Sequence, residues 1–182
     1  MRAPAPPYAN EGPHALWHVS ENTGIARFEP HVSATAAEPE PLVWAVDTRH
    51  LPCYWFPRDC PRGTFWADET TDPADAERLL AGASRVHAVE QAWLGRIRTA
   101  DVHVYRLPEE TFARHPGVGG YWLSRVAVEP LEVAALGDLV ALHEAAEIEL
   151  RALPSLWPLW DEVVASTLEF SGMRLRNARP RG

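Results

Sequence analysis

A chain of 182 residues with 46% hydrophobic side chains and eight Trp is long enough to bury a core of its own, so folding needs neither a disulfide framework nor a structural metal. Its net charge of -8, with 25 acidic residues against 17 Arg and no Lys, excludes broad duplex nucleic-acid binding, which requires a positive surface. No apolar run approaches the roughly 20 residues of a membrane-spanning helix, and two Cys suit a reducing compartment, so a cytoplasmic protein without a membrane partner is expected.

In chain order, residues 1–14 form a Pro-rich tail, and Leu16–Ser20 is a short strand with Leu16, His18 and Ser20 on one face and Trp17 and Val19 on the other. A turn at Glu21–Gly24 and a loop at His31–Pro41 lead into Leu42–Asp47, which is apolar on both faces like a buried strand. Arg49–Phe56 predicts a short helical turn, and Thr64–Ala67 a strand. Asp72 caps a helix that carries Pro73 at its first position and ends at Gly82. Arg85–Val89 and Val102–Leu107 are strands on either side of a short helix at Gln91–Arg98. Pro108–His115 predicts a helical turn, Pro116–Gly120 a loop and Tyr121–Val128 a strand stopped by Pro130. Leu131–Ala146 predicts one helix whose stripe is Leu136, Leu139 and Val140, with His143 on the same face. A strand at Ile148–Leu150 and a last helix capped by Ser155 precede an end that frays after Asn177. The interleaving predicts one α+β domain over 15–178 with a twisted, mixed or mainly antiparallel sheet and flanking helices, followed by a frayed C-terminus at 179–182.

The stretch Pro41–Glu69 concentrates the chemistry: three Trp, both Cys, His50 and three Arg, with the polar knot Arg58–Arg62 between two apolar runs. Together with His18 and Ser20 it offers Arg49, Tyr54, Arg58 and Arg62, a set able to bind phosphate or pyrophosphate because guanidinium is a rigid fork of donors. The alternative is that His18 is a core histidine and the Arg side chains pair with Asp47, Asp59 and Asp68. Neither GxGxxG nor GxxxxGK[ST] occurs, which leaves dinucleotide-fold and P-loop readings unsupported. His50, Cys53 and Cys60 are ligand types for zinc, with His18 as a fourth, but their spacing matches no structural zinc pattern and no metal is expected. Cys60 between Arg58 and Arg62 is a conceivable nucleophile. Glu129, Glu144, Glu147 and Glu149 are candidate carboxylates for an oxocarbenium-like centre, or else a solvated face. Trp122, Trp157 and Trp160 belong to the core, with base stacking the lesser use.

The strings LWHVSE, VWAVDTRHLPCYWFPRDCPR, YWLSRVAVEP and ELRALPSLWPLW resemble a small bacterial family known only as a domain of unknown function, over about residues 16–178. The order aromatic-His-x-Ser in Trp17–Ser20 is also similar to the opening strand of the ADP-ribosyltransferase-like fold. That resemblance implies NAD as the cosubstrate, with His18 on its ribose, Tyr54 stacked on nicotinamide and Glu129 or Glu149 orienting the reacting ribose; Ser20, Arg49, Arg58 and Arg62 complete the binding set. Glu147-Ile148-Glu149 departs from the family pattern by standing at a helix end. The leading expectation is thus a binder of a nucleotide or another phosphorylated small molecule, with ADP-ribosyl transfer as its enzymatic form. The alternatives are a non-catalytic ligand- or protein-binding module, and a Cys- or metal-dependent hydrolase.

Overall fold

The computed structural model describes residues 15–32 and 39–181. The expected tail at 1–14 lies outside them, as do part of the 31–41 loop and Gly182. In chain order the elements are β1 (Leu16–Ser20), β2 (Val43–Asp47), β3 (Arg62–Trp66), α1 (Pro73–Leu80), β4 (Arg85–Glu90), α2 (Leu94–Thr99), β5 (His103–Leu107), β6 (Ala113–Arg114), β7 (Tyr121–Ser124), β8 (Glu132–Ala135), α3 (Leu139–Ala145), β9 (Glu149–Leu153), α4 (Trp157–Val164) and β10 (Glu169–Met173). A 3-10 turn at Leu51–Tyr54 carries Pro52 near its start.

The class is α+β, but in place of one sheet there are two, of six and four strands. They fall in two compact units, each assembled from two stretches of chain: unit 1 runs to Trp55 and resumes over Asp101–Gly137, while unit 2 is Phe56–Ala100 together with the chain from Asp138 onward.

Unit 1 holds the antiparallel order β6-β7-β2-β1-β5-β8. Period-2 alternation sends Leu16, Val43, Ala45, Tyr105 and Leu107 to one face, where Phe28 and Val128 close over them and bridge each other as an isolated pair. Burying a side chain of this size contributes about 1.5–3 kcal/mol, enough to fix which face turns inward. The register sets Trp17 opposite Val46 and Val46 opposite Tyr121. Trp44 and Tyr121 therefore share the other face with Trp17, and His18 and Ser20 stand on the face of Leu16.

Unit 2 holds β10-β3-β4-β9, antiparallel except for the parallel pair β4–β9. Phe65, Val86 and Ala88 pack beneath α1 and α4 through Leu79, Leu80, Leu156 and Val163. Gly63 and Gly172 lie opposite each other on β3 and β10, and Trp160 rests on both, so a Cβ at either would come within 2.7 Å of its ring. The other face carries Arg62, Thr64 and His87, all buried.

The start of α1 follows the expected chemistry: the Asp72 carboxylate accepts from Ala74 N at 2.8 Å, with Pro73 at the first turn. Three expectations need correction. The single helix over Leu131–Ala146 is a strand and a shorter helix, because β8 adds to β5 and Gly137, at φ +75, turns the chain before Asp138 caps α3. Pro108–His115 is not a helical turn throughout: Ala113 and Arg114 pair with β7. Tyr121–Val128 is regular only to Ser124, whose hydroxyl accepts from Val126 N at 3.3 Å and donates to Val126 O at 3.0 Å, turning the chain.

Candidate functional site

Asp47 ends β2, with Thr48, Arg49 and His50 between it and the 3-10 segment at Leu51–Tyr54. Its Oδ1 accepts from His50 N at 2.9 Å and from His50 Nδ1 at 2.7 Å. A carboxylate only accepts, so Nδ1 carries a proton. Both side chains are about one-fifth exposed, at 20% for Asp47 and 21% for His50. Asp47 N in turn donates to Gly120 O at 2.9 Å, and Gly120, at φ +79, lies flat against the imidazole: a Cβ there would come within 2.2 Å of Nδ1. The ring plane is held between a carboxylate and a glycine that cannot be replaced without moving it.

The next residue, Tyr121, meets Tyr54 from the end of the 3-10 turn, and the Tyr54 hydroxyl donates to the Tyr121 hydroxyl. Trp44 packs edge-on to Tyr121, with ring centroids 6.0 Å apart, and lies 5.8 Å from the ring of His115. His115 Nδ1 accepts from Gly117 N and Val118 N at 3.0 Å each, which shapes the loop leading to Gly120. Trp44, His50, Tyr54 and Tyr121 are all half-buried, so each shows part of an aromatic surface to solvent. Arg49, between Asp47 and Tyr54 in sequence, is exposed.

His18 is half-buried, donates from Nδ1 to Trp44 O at 3.1 Å and packs on Phe28 with centroids 4.8 Å apart. Ser20 accepts from Asn22 N at 3.0 Å and shapes the turn after β1. The strand register thus gives His18 and Ser20 one face of the unit 1 sheet, and Trp44 and Tyr121 the opposite one. Glu129, at a strand end in the expectation, is exposed and 3.4 Å from Arg27 Nη1.

In unit 2, Arg58 is exposed, and its carbonyl accepts from Arg174 Nε at 3.2 Å. Arg62 is 3% exposed; its guanidinium donates to Cys60 O at 2.9 Å, contacts Met173 sulfur at 3.0 Å and lies 5.2 Å from the Phe56 ring centroid. Glu149 makes a two-pronged pair with Arg151, at 2.7 and 2.8 Å, and Glu144, Glu147 and Glu149 are all exposed. Burial pushes the Cys60 thiol up to about 12, a rise that Arg62 and Arg96 oppose without cancelling; a neutral, buried thiol is a poor nucleophile. Among the described residues no group of three or more His, Cys, Asp or Glu is placed to hold a metal ion.

The sequence reading passed over a polar pair in this unit. His143 Nδ1 donates to Leu139 O at 2.6 Å, leaving Nε2 to accept from His87 Nδ1 at 2.9 Å. This chain of tautomers leaves the lone pair on His87 Nε2, which is buried with no hydrogen-bond partner among the described residues. Phe56 packs against both rings, at 5.6 Å from His87 and 5.1 Å from His143. Burial, then His143, Arg85 and Arg62, hold His87 well below the ordinary imidazole range; burial brings His143 down to about 4 against the opposing bond to Leu139.

Unit 1 thus carries an imidazole–carboxylate pair, Asp47 with His50, at the end of β2, and a half-buried aromatic group of Trp44, Tyr54 and Tyr121. Neither a curated protein nor a solved structure matches the chain. A family model does match, across residues 17–178, and the chain belongs to that family, the family of unknown function DUF6886.

Proposed function

We propose that the protein binds a nucleotide or another phosphorylated small molecule in unit 1, with ADP-ribosyl transfer from NAD as its enzymatic form. The observation that carries the reading is the half-buried Tyr54–Tyr121 pair, tied hydroxyl to hydroxyl across 67 residues of sequence and flanked by Trp44. An aromatic face that is partly wet gives a base or nicotinamide ring a surface to stack on, worth about 1–3 kcal/mol per base. Exposed Arg49 supplies a donor fork for phosphate, as the chemistry of guanidinium suits. His18, on the opposite face of the same sheet, joins the set through its bond to the Trp44 carbonyl.

Titration of the full chain with NAD, ADP-ribose and AMP, followed by NMR shifts of the Trp indole protons, tests this. Saturable shifts that Tyr54→Ala weakens by about tenfold or more, the factor of one lost stacking contact, are expected. Absence of saturation with all three overturns the reading. It would favour the second one, a non-catalytic module for a protein partner, for which the edge strand β8 speaks: Leu131 before it is 67% exposed and Val133 within it 42%.

A further inference from the structure

We propose that the outer edge of β8 is a docking edge for an extended segment of another protein, one that alternates apolar and basic residues and adds to the unit 1 sheet as a further strand. The inference stands apart from the nucleotide reading, since β8 closes the end of the sheet away from β7 and β2. It gives the partner-binding alternative a site and a partner chemistry.

Three features of β8 carry it, and the first is open backbone. β8 ends the order β6-β7-β2-β1-β5-β8. Its pairing with β5 runs from Glu132 opposite Arg106 to Ala135 opposite His103, and a Leu136 N–H bond to Val102 O at 2.9 Å continues it. Bonds of an antiparallel ladder alternate sides along a strand. With Leu136 turned toward β5, Ala134 and Glu132 turn the same way, and Val133 and Ala135 aim their N–H and C=O groups out of the sheet.

The second feature is apolar surface at that edge. Val133 stands opposite Tyr105, on the face of Leu16 and Leu107 where the unit 1 core lies, yet it is 42% exposed, and Leu131 is 67% exposed. An apolar side chain placed beside Val133 by an added strand extends that core by one row. Edge strands are ordinarily guarded by Lys, Pro or an inward charge, and the one charged residue within β8 is Glu132.

The third is charge. Glu132 on the other face, Glu129 beyond one end of the strand and Asp101 beyond the other are all exposed. The bases beside them are engaged: Arg27 lies on Glu29 and Glu129, and the Arg106 guanidinium lies 4.8 Å from the Trp17 ring centroid. Buried His103 is 3.5 Å from Asp101. On a chain of net charge -8, such an edge draws Lys or Arg and disfavours a second copy of itself. Period-2 alternation then sets the partner's pattern: apolar residues on the face of Val133, basic ones on the face of Glu132.

The test adds a capped peptide of alternating Lys and Val, as long as β8 with one residue on either side, to the isotope-labelled full chain. Saturable NMR shifts centred on the Val133 and Ala135 amides are expected, with slowed hydrogen exchange at both, and added salt should weaken the complex. Val133→Lys should weaken binding by about tenfold or more, and so should replacing Lys by Glu in the peptide. Should Val133→Lys not fold, the Glu peptide decides. No saturation with the Lys–Val peptide, or equal affinity for its Glu counterpart, overturns the proposal. Shifts gathered at Phe170 on β10 overturn the site but leave a partner-binding module standing. Dimerisation of the native chain that Val133→Lys abolishes overturns it in favour of a self-interface. Titration with NAD, ADP-ribose and AMP is a separate measurement, and its failure leaves this edge untouched.

Discussion

His87 and His143 share one proton path inside unit 2: Nδ1 of the first donates to Nε2 of the second at 2.9 Å, and the second is anchored to the Leu139 carbonyl at 2.6 Å. Both rings are buried, so each folds as the neutral form. The ordinary imidazole value of 6.5 holds for the unfolded chain, and the folded values lie below it. Below 6.5 the unfolded state therefore binds more protons than the folded state, and stability falls with pH until the folded groups also protonate, near 4 for His143. Each histidine costs up to about 1.4 kcal/mol per pH unit in that window. Urea unfolding at about pH 7.5 and about pH 5 should show the loss, and His143→Gln should flatten the dependence. Equal midpoints for the native chain at both pH values would contradict a neutral buried pair.

Gly120 is the position where a single methyl group does most in unit 1. Gly120→Ala puts a Cβ on the His50 ring at a φ of +79, a conformation L residues adopt at a cost of about 1–3 kcal/mol. The variant should melt lower than the native protein and lose the His50 Nδ1–Asp47 bond, read from the exchange rate of the imidazole proton.

Trp160 makes the matching demand in unit 2. Gly63→Ala or Gly172→Ala drives the indole off the sheet, with overpacking costs of about 1–3 kcal/mol. Trp160→Ala exposes both glycines and should cost about 3 kcal/mol or more, since the indole packs against the core of α1 and α4 and edge-on to Phe170. Denaturant midpoints measure all three. A double variant, Gly172→Ala with Trp160→Ala, should cost less than the sum, because the clash leaves with the ring.

Cys60 gives the cleanest test of the thiol chemistry the sequence suggested. With its thiol pushed up to about 12 and no exposed surface, it should resist dithiobis(nitrobenzoic acid) in the native protein and react once urea unfolds the chain. Cys53, also buried, should behave alike. Rapid native labelling of Cys60 would restore the nucleophile reading.

Much of the scaffold was legible in residues whose local pattern and tertiary role agree. Leu16–Ser20 alternates as a strand should, and Asp72-Pro73 starts α1 with the cap chemistry that sequence spells out. The failures have a common cause in pairing at a distance. Leu131–Ala135 is built of good helix formers, yet an open edge on β5 outweighs a propensity of a few tenths of a kcal/mol per residue. β10 was missed altogether, because Glu-Phe-Ser-Gly-Met has weak strand character and its glycine answers to Trp160 rather than to any local rule. In the candidate site, Arg49, His50 and Tyr54 stood out by type and clustering. Tyr121 did not: only the β2–β7 register brings it to Tyr54. His87 carried one faint signal, its alternation with Val86 and Ala88, and nothing along the chain ties it to a histidine 56 residues away.

The interrupted make-up of both units has a consequence for anyone who cuts the gene. Severing the chain at Ala100 parts β1 from β5, β2 from β7, β3 from β10 and β4 from β9, so no single truncation delivers either unit as an autonomous fragment. Fragments meant to isolate one sheet would have to be stitched: for unit 1, a short linker joining the end of its first stretch to Asp101; for unit 2, one joining Ala100 to Asp138.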